Sequence, residues 1–135
     1  VAVGQASMKL QFDPRVSEVM GEAYYFLGQN AEALRAFQKY FEAAAEGADR
    51  IPTAYFYVGE TYFRLKRYSH ADIAYSMAVS REPSMPRWWF RLGLACESLG
   101  EWKRAYDAYS KALSLSPAMD DAIQGRDRVK AKAGI

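Results

Sequence analysis

Apolar and polar positions alternate with a helical period along most of this chain. From Pro86, the residues Trp89, Leu92, Gly93 and Cys96 recur every three or four positions. Leu99-Gly100-Glu101 interrupts the pattern, Ala105, Tyr109 and Ala112 resume it, and Pro117 closes it. This spacing predicts two antiparallel amphipathic helices joined by a short turn. The pair recurs from Pro52, with Tyr55, Val58, Gly59 and Tyr62 on a first helix, Ala71, Tyr75 and Ala78 on a second, and Pro83 after it. It recurs again from Pro14, with Met20, Gly21 and Tyr24, then Ala33 and Phe37. Small residues at these places let two helices approach, and the large ones fill the ridges beside them.

The helix boundaries follow from local chemistry. Asp13 is a good N-cap, and Pro14, Pro52 and Pro86 suit a first helical turn, where the missing N–H is harmless. Gly28 and Gly100 suit helix ends that need a left-handed residue. Pro52 and Pro86 lie 34 residues apart, whereas Pro14 and Pro52 lie 38 apart. The four extra residues, about one helical turn, are expected between Glu42 and Ile51. They would lengthen the second helix through Ala43–Ala45, with Gly47 as its stop. Tyr40 stands where the other units carry Ala78 and Ala112, so the first helix pair should splay there.

The best unit reads Trp-x2-Leu-Gly-x2-Cys, then Ala-x3-Tyr, then Pro. It resembles the tetratricopeptide repeat (TPR), whose pattern is Trp-x2-Leu-Gly-x2-Tyr…Ala-x3-Phe…Pro over about 34 residues. Cys96 replaces the tyrosine and Tyr109 the phenylalanine, both apolar fillers, while Ser17 stands at the tryptophan place of the first unit. The resemblance covers Pro14 to Met119. It implies an all-α solenoid of three helix-turn-helix repeats with a C-terminal capping helix. The expected division is 14–51, 52–85 and 86–119 for the repeats, and 120–135 for the capping helix and tail. Residues 1–13 form an N-terminal tail or the end of a preceding repeat. In the last segment Ala122, Ile123 and Val129 would cover the third repeat, as solenoids need polar terminal caps. A frayed start of a fourth repeat is the alternative.

Composition narrows the function. Eighteen basic against sixteen acidic residues give a net charge of +2, too balanced for nucleic acid or an anionic membrane surface. No apolar run approaches the ~18 residues of a membrane span, and residues 1–12 do not read as a signal peptide. The chain starts at Val1 rather than Met, so an excised module or a processed chain is expected. One cysteine excludes an internal disulfide and mildly favours a reducing, cytoplasmic setting. His70 and Cys96 fall on different predicted helices, so no Cys–His nucleophile, metal cluster or cofactor site is expected, and no enzymatic activity.

The TPR resemblance further implies that the first helix of each repeat lines a concave groove. Tyr25, Phe26, Phe56, Phe63, Phe90 and Leu94 would then form a mostly aromatic stripe across it. An apolar stripe beyond the needs of the core marks a binding surface. Some of these rings packing between neighbouring repeats is the competing reading. Around the stripe, Glu18, Glu22 and Glu60 with Arg64 precede Arg87 and Arg91, so the groove should be acidic at its first repeat and basic at its third. Glu18 and Glu22 occupy places that are basic and amide in TPR clamps for the acidic chaperone tail, which argues against that ligand. The expected function is a protein–protein interaction module, an adaptor or scaffold that binds a peptide or helix with apolar anchors. Self-assembly, or docking within a larger and possibly enzymatic protein, is the alternative.

Overall fold

A computed structural model describes residues 13–135. The expectations for the segment before Asp13 lie outside the described residues. Among the described residues seven helices follow one another: α1 (Pro14–Phe26), α2 (Asn30–Ala43), α3 (Ile51–Arg64), α4 (Tyr68–Arg81), α5 (Pro86–Ser98), α6 (Trp102–Leu115) and α7 (Asp120–Lys130). Among the described residues there is no strand. The odd-numbered helices form one layer and the even-numbered helices the other, as stacked helical hairpins.

The starts and stops obey the local rules. Asp13 caps α1, its carboxylate accepting from the Arg15 amide at 3.0 Å. The odd helices of all three repeats end alike. The amides of Gln29, Arg67 and Glu101 donate to the carbonyls of Tyr24, Tyr62 and Cys96 at 2.9, 2.9 and 3.0 Å. This closure requires a left-handed residue, supplied by Gly28 and Gly100 and, in the second repeat, by Lys66 at φ 60°.

The extra residues of the first repeat sit in its exit loop. α2 stops at Ala43, because Ala44 turns to an extended conformation (ψ 141°), and Gly47 reverses the chain with φ 80°. The expected continuation of the helix through Ala45 does not occur. Near this exit a crevice of about 290 Å³ opens between Pro14 and Arg15 at the start of α1 and Tyr40 and Ala44 at the end of α2.

Two cores result. Ala33, Phe37, Tyr40 and Ala54 make a small one around the first repeat. A larger one runs unbroken from Phe56 and Tyr75 through Trp88, Leu92 and Tyr109 to Val129 of α7. Phe37, Tyr75 and Tyr109 each lie against a glycine of the preceding helix. A Cβ on Gly21, Gly59 or Gly93 would stand 2.7, 2.6 or 2.6 Å from the respective ring.

Candidate interaction face

Polar side chains tie the odd helices together. Tyr25 of α1 donates to Glu60 of α3 at 3.3 Å, and Arg91 of α5 donates to the same carboxylate at 2.6 Å. The buried Tyr75 hydroxyl supplies a third donor at 2.5 Å. Arg128 of α7 grips Glu97 of α5 at 2.9 and 3.0 Å, and Tyr109 donates to that carboxylate at 2.6 Å. These donors hold the Glu97 carboxyl below the usual range, Arg128 contributing most. Arg64 reaches back to the Tyr25 carbonyl at 2.8 Å and to Asn30 at 3.1 Å, its guanidinium 4.0 Å above the Tyr25 ring.

Glu18 is the most buried charged side chain among the described residues, 1% exposed. It shares one counter-ion with Glu22: Arg50, in the loop before α3, donates to them at 3.1 and 2.5 Å. Burial, reinforced by Glu22, outweighs the arginine and pushes the Glu18 carboxyl up to about 7.

The structure divides the expected stripe. Phe56 is 6% exposed and stacks on Trp88 of the next repeat, centroids 5.1 Å apart. Phe90 is also buried, 5.9 Å from the Tyr109 ring. Phe56 is therefore inter-repeat core and Phe90 core of the third repeat's own hairpin, and neither is groove surface. Tyr25, Phe63 and Leu94 remain half-buried, and Phe26 stands 69% exposed. Phe26 joins a cluster with Tyr25 (5.1 Å) and Tyr57 (5.6 Å), the latter missed from sequence because it falls between the core and groove places. Phe63 lies under Arg91, 4.4 Å from its guanidinium.

Of the charged positions, Glu18, Glu22, Glu60, Arg64 and Arg91 are engaged within the fold. Arg87 is exposed. The expected acidic-to-basic gradient is therefore largely spent on internal pairs. Arg50 and Arg128 were not foreseen, since no spacing rule links residues some thirty positions apart.

No reactive centre is assembled from the sole cysteine. Burial, with Asp72 nearby, pushes the Cys96 thiol up to about 12. Asp72, Cys96 and Glu101 place potential ligand atoms within 4.8 Å of one another. Arg104 sits among them, however, donating to Asp72 at 2.7 and 2.8 Å and also to Glu101. That is an ion-paired clamp rather than a cation site. Among the described residues, no helix is long and apolar enough to cross a membrane.

Comparison with known proteins fixes the family. The profile of the "Cilia and flagella-associated protein 70 C-terminal domain" matches residues 2–122. The chain belongs to that family. The human cilia- and flagella-associated protein 70 is 30% identical over 112 residues, which is 83% of this chain and 10% of the human protein. The chain thus spans about a tenth of that relative's length. Among solved structures, MamA superposes with a TM-score of 0.82 at 21% identity, covering 96% of this chain and 74% of MamA. The first TPR of Spaghetti (RPAP3), bound to the HSP90 peptide SRMEEVD, superposes at 0.78 and 23% identity, covering 90% and 94%. The fold is an all-α TPR solenoid.

Proposed function

We propose that this CFAP70-family chain is a protein-interaction module that holds a partner peptide or helix on its odd-helix, concave face. The observation that carries this reading is Phe26, 69% exposed beside Tyr25 and Tyr57 while its neighbouring charges are neutralised within the fold. An exposed ring on a rigid, locally uncharged platform suits an apolar anchor of a ligand. Leu94 and Phe63 extend the platform toward Arg87, the exposed cation at the third repeat. The TPR likeness supports the reading, because concave helical faces are how such solenoids bind. The acidic chaperone tail is not the proposed ligand, since Glu18 and Glu22 stand where clamps for that tail carry basic and amide groups, and they engage Arg50.

Affinity capture with wild-type protein and with Phe26→Glu, followed by identification of the retained proteins, tests this. Partners held by wild type and lost by Phe26→Glu are expected. Identical retention by both overturns the assignment of the face. Phe56 is unsuited to this test, because its substitution would damage the core.

A second reading has its own support. Val16 of α1 is 57% exposed, and Val19 and Met20 are exposed on the same helix, with Leu27 exposed just past its end. The places of Val16 in the later repeats are Ala54 and Trp88, both buried. This bare face suits stacking against a further repeat or a second copy. Concentration-dependent light scattering that Val16→Glu abolishes would establish self-association.

A further inference from the structure

The face opposite the concave one carries an open apolar crevice where the first two repeats meet. Leu34 and Phe41 of α2 flank it with Val58 and Tyr62 of α3, and the hydrogen-bonded pair Gln38 and Glu42 borders it on the α2 side, around a space of about 500 Å³. Val58 and Tyr62 also border an adjoining apolar hollow of about 170 Å³ under Ile73 and Met77 of α4. The two hollows therefore form one surface, with α2 and α4 on either side and the Tyr55, Val58, Tyr62 edge of α3 between them.

The next junction shows what normally closes such a place. Its equivalents of Val58 and Tyr62 are Leu92 and Cys96, both buried. Above them Arg104 of α6 bridges to Asp72 of α4 with two hydrogen bonds, at 2.7 and 2.8 Å. At the first junction the place of Arg104 is taken by His70 and that of Asp72 by Leu34. A charged clamp is replaced by an apolar side chain facing an imidazole, and the crevice stays open.

Charge is also withdrawn from the surrounding surface. Over its whole length α4 bears only two residues of ordinary charge, Asp72, held by Arg104, and Arg81, held over the Tyr55 ring at 5.0 Å. Its outward Ile73 is 65% exposed. Depletion of charge around exposed aliphatic side chains is the composition of an interface centre. The remaining charges lie at the two ends. Lys66 and Arg67 stand at the α3–α4 turn beside His70, and Glu42 lines the crevice at the far end of α2, with Glu46 in the loop beyond that end.

We infer that this crevice docks one amphipathic α-helix of a partner protein, lying antiparallel to α2 and α4. The edge of α3 repeats at helical spacing, Tyr55, Val58 and Tyr62, over about 10 Å, with the Tyr55 ring stacked on Phe41 at 4.3 Å and beneath Arg81. It matches a ligand with apolar anchors at i, i+3 and i+7. The end charges set the direction. The partially positive N-terminus of the bound helix lies toward Glu42 and Glu46, and its C-terminus toward Lys66 and Arg67.

The test uses a displayed library of amphipathic helical peptides, with aliphatic or aromatic residues varied at i, i+3 and i+7, selected on the wild-type chain. Selected peptides should weaken at least tenfold on Ile73→Glu, a change at an exposed site that leaves the fold intact. They should weaken likewise on the double variant Leu34→Asp/His70→Arg, which installs the clamp of the next junction. Phe26→Glu, on the concave face, should leave them unaffected, separating this site from the one proposed above. A spin label on the peptide N-terminus should broaden resonances near Glu42 rather than Lys66. Unchanged affinity on Ile73→Glu, or the opposite label position, overturns the inference. So does a wild-type dimer dispersed by Ile73→Glu, which gives the crevice to a second copy. Peptide binding that appears only after deletion of residues 1–12 overturns it too, giving the crevice to the chain's own N-terminal segment.

Discussion

A Cβ on Gly93 would lie 2.6 Å from the ring of Tyr109. The same ring meets Gly125 from its other side, where a Cβ would also come within 2.6 Å. Tyr109 is therefore a spacer held between α5 and α7, and neither helix can retreat without losing the contact. Gly93→Leu should overpack this point and destabilise by about 1–3 kcal/mol or more. A thermal midpoint equal to wild type would contradict the helix register.

Lys66 does at the second repeat what Gly28 and Gly100 do at the others, with φ 60°. A side chain in that conformation costs about 1–2 kcal/mol, partly offset by the greater freedom glycine gains on unfolding. Lys66→Gly should thus stabilise the chain by about 0.5–1 kcal/mol, read as a raised urea midpoint at unchanged slope. A lowered midpoint would show that the Lys66 side chain contributes more than its backbone strain costs.

Glu18 makes stability depend on pH. Its carboxyl titrates near 7 when folded, against an ordinary value of 4.5. Between those values the folded state binds more protons than the unfolded one, so its contribution to stability falls as pH rises from about 5 to 8. Glu18→Gln removes this titration while Arg50 keeps Glu22 at 2.5 Å. The variant should gain about 1–2 kcal/mol relative to wild type over that pH range. Parallel stability profiles for the two proteins would refute the assignment.

α7 buries Ala122, Gly125 and Val129 and links to α5 through Arg128 and Glu97. Lys132, just beyond it, lies 4.5 Å over the Trp102 ring. Deleting residues 120–135 should uncover Tyr109 and Trp102, lower the thermal midpoint and produce self-association visible by light scattering. A monomeric truncation of unchanged stability would show that α7 is not a cap.

The hairpins were legible because each helix carries its own punctuation: Asp13 and the prolines at the starts, Gly28 and Gly100 at the ends, and a glycine-to-ring contact in every repeat. The interaction face was less legible. Periodicity tells which side of a helix faces its own hairpin partner, but not which side faces the neighbouring repeat. Phe56 therefore reads as a surplus ring although it fills an inter-repeat contact, and Phe90 although it lies buried against Tyr109 of its own hairpin. Charge patterning failed for a related reason. Glu60, Glu97 and Glu18 find their arginines on other helices or loops, at separations set by the solenoid stacking and not by the local chain.

The division of the interior into two cores makes the molecule unequal along its axis. Among the described residues the small cluster of Phe37 and Tyr40, with the polar ties of Arg50 and Arg64, holds α1 and α2, whereas the larger cluster braces five helices at once. Free energy is then distributed as a slope rather than shared evenly. The first hairpin is expected to exchange its amide protons sooner than α4 to α6. Such a chain can yield at one end under load and recover without crossing its whole unfolding barrier.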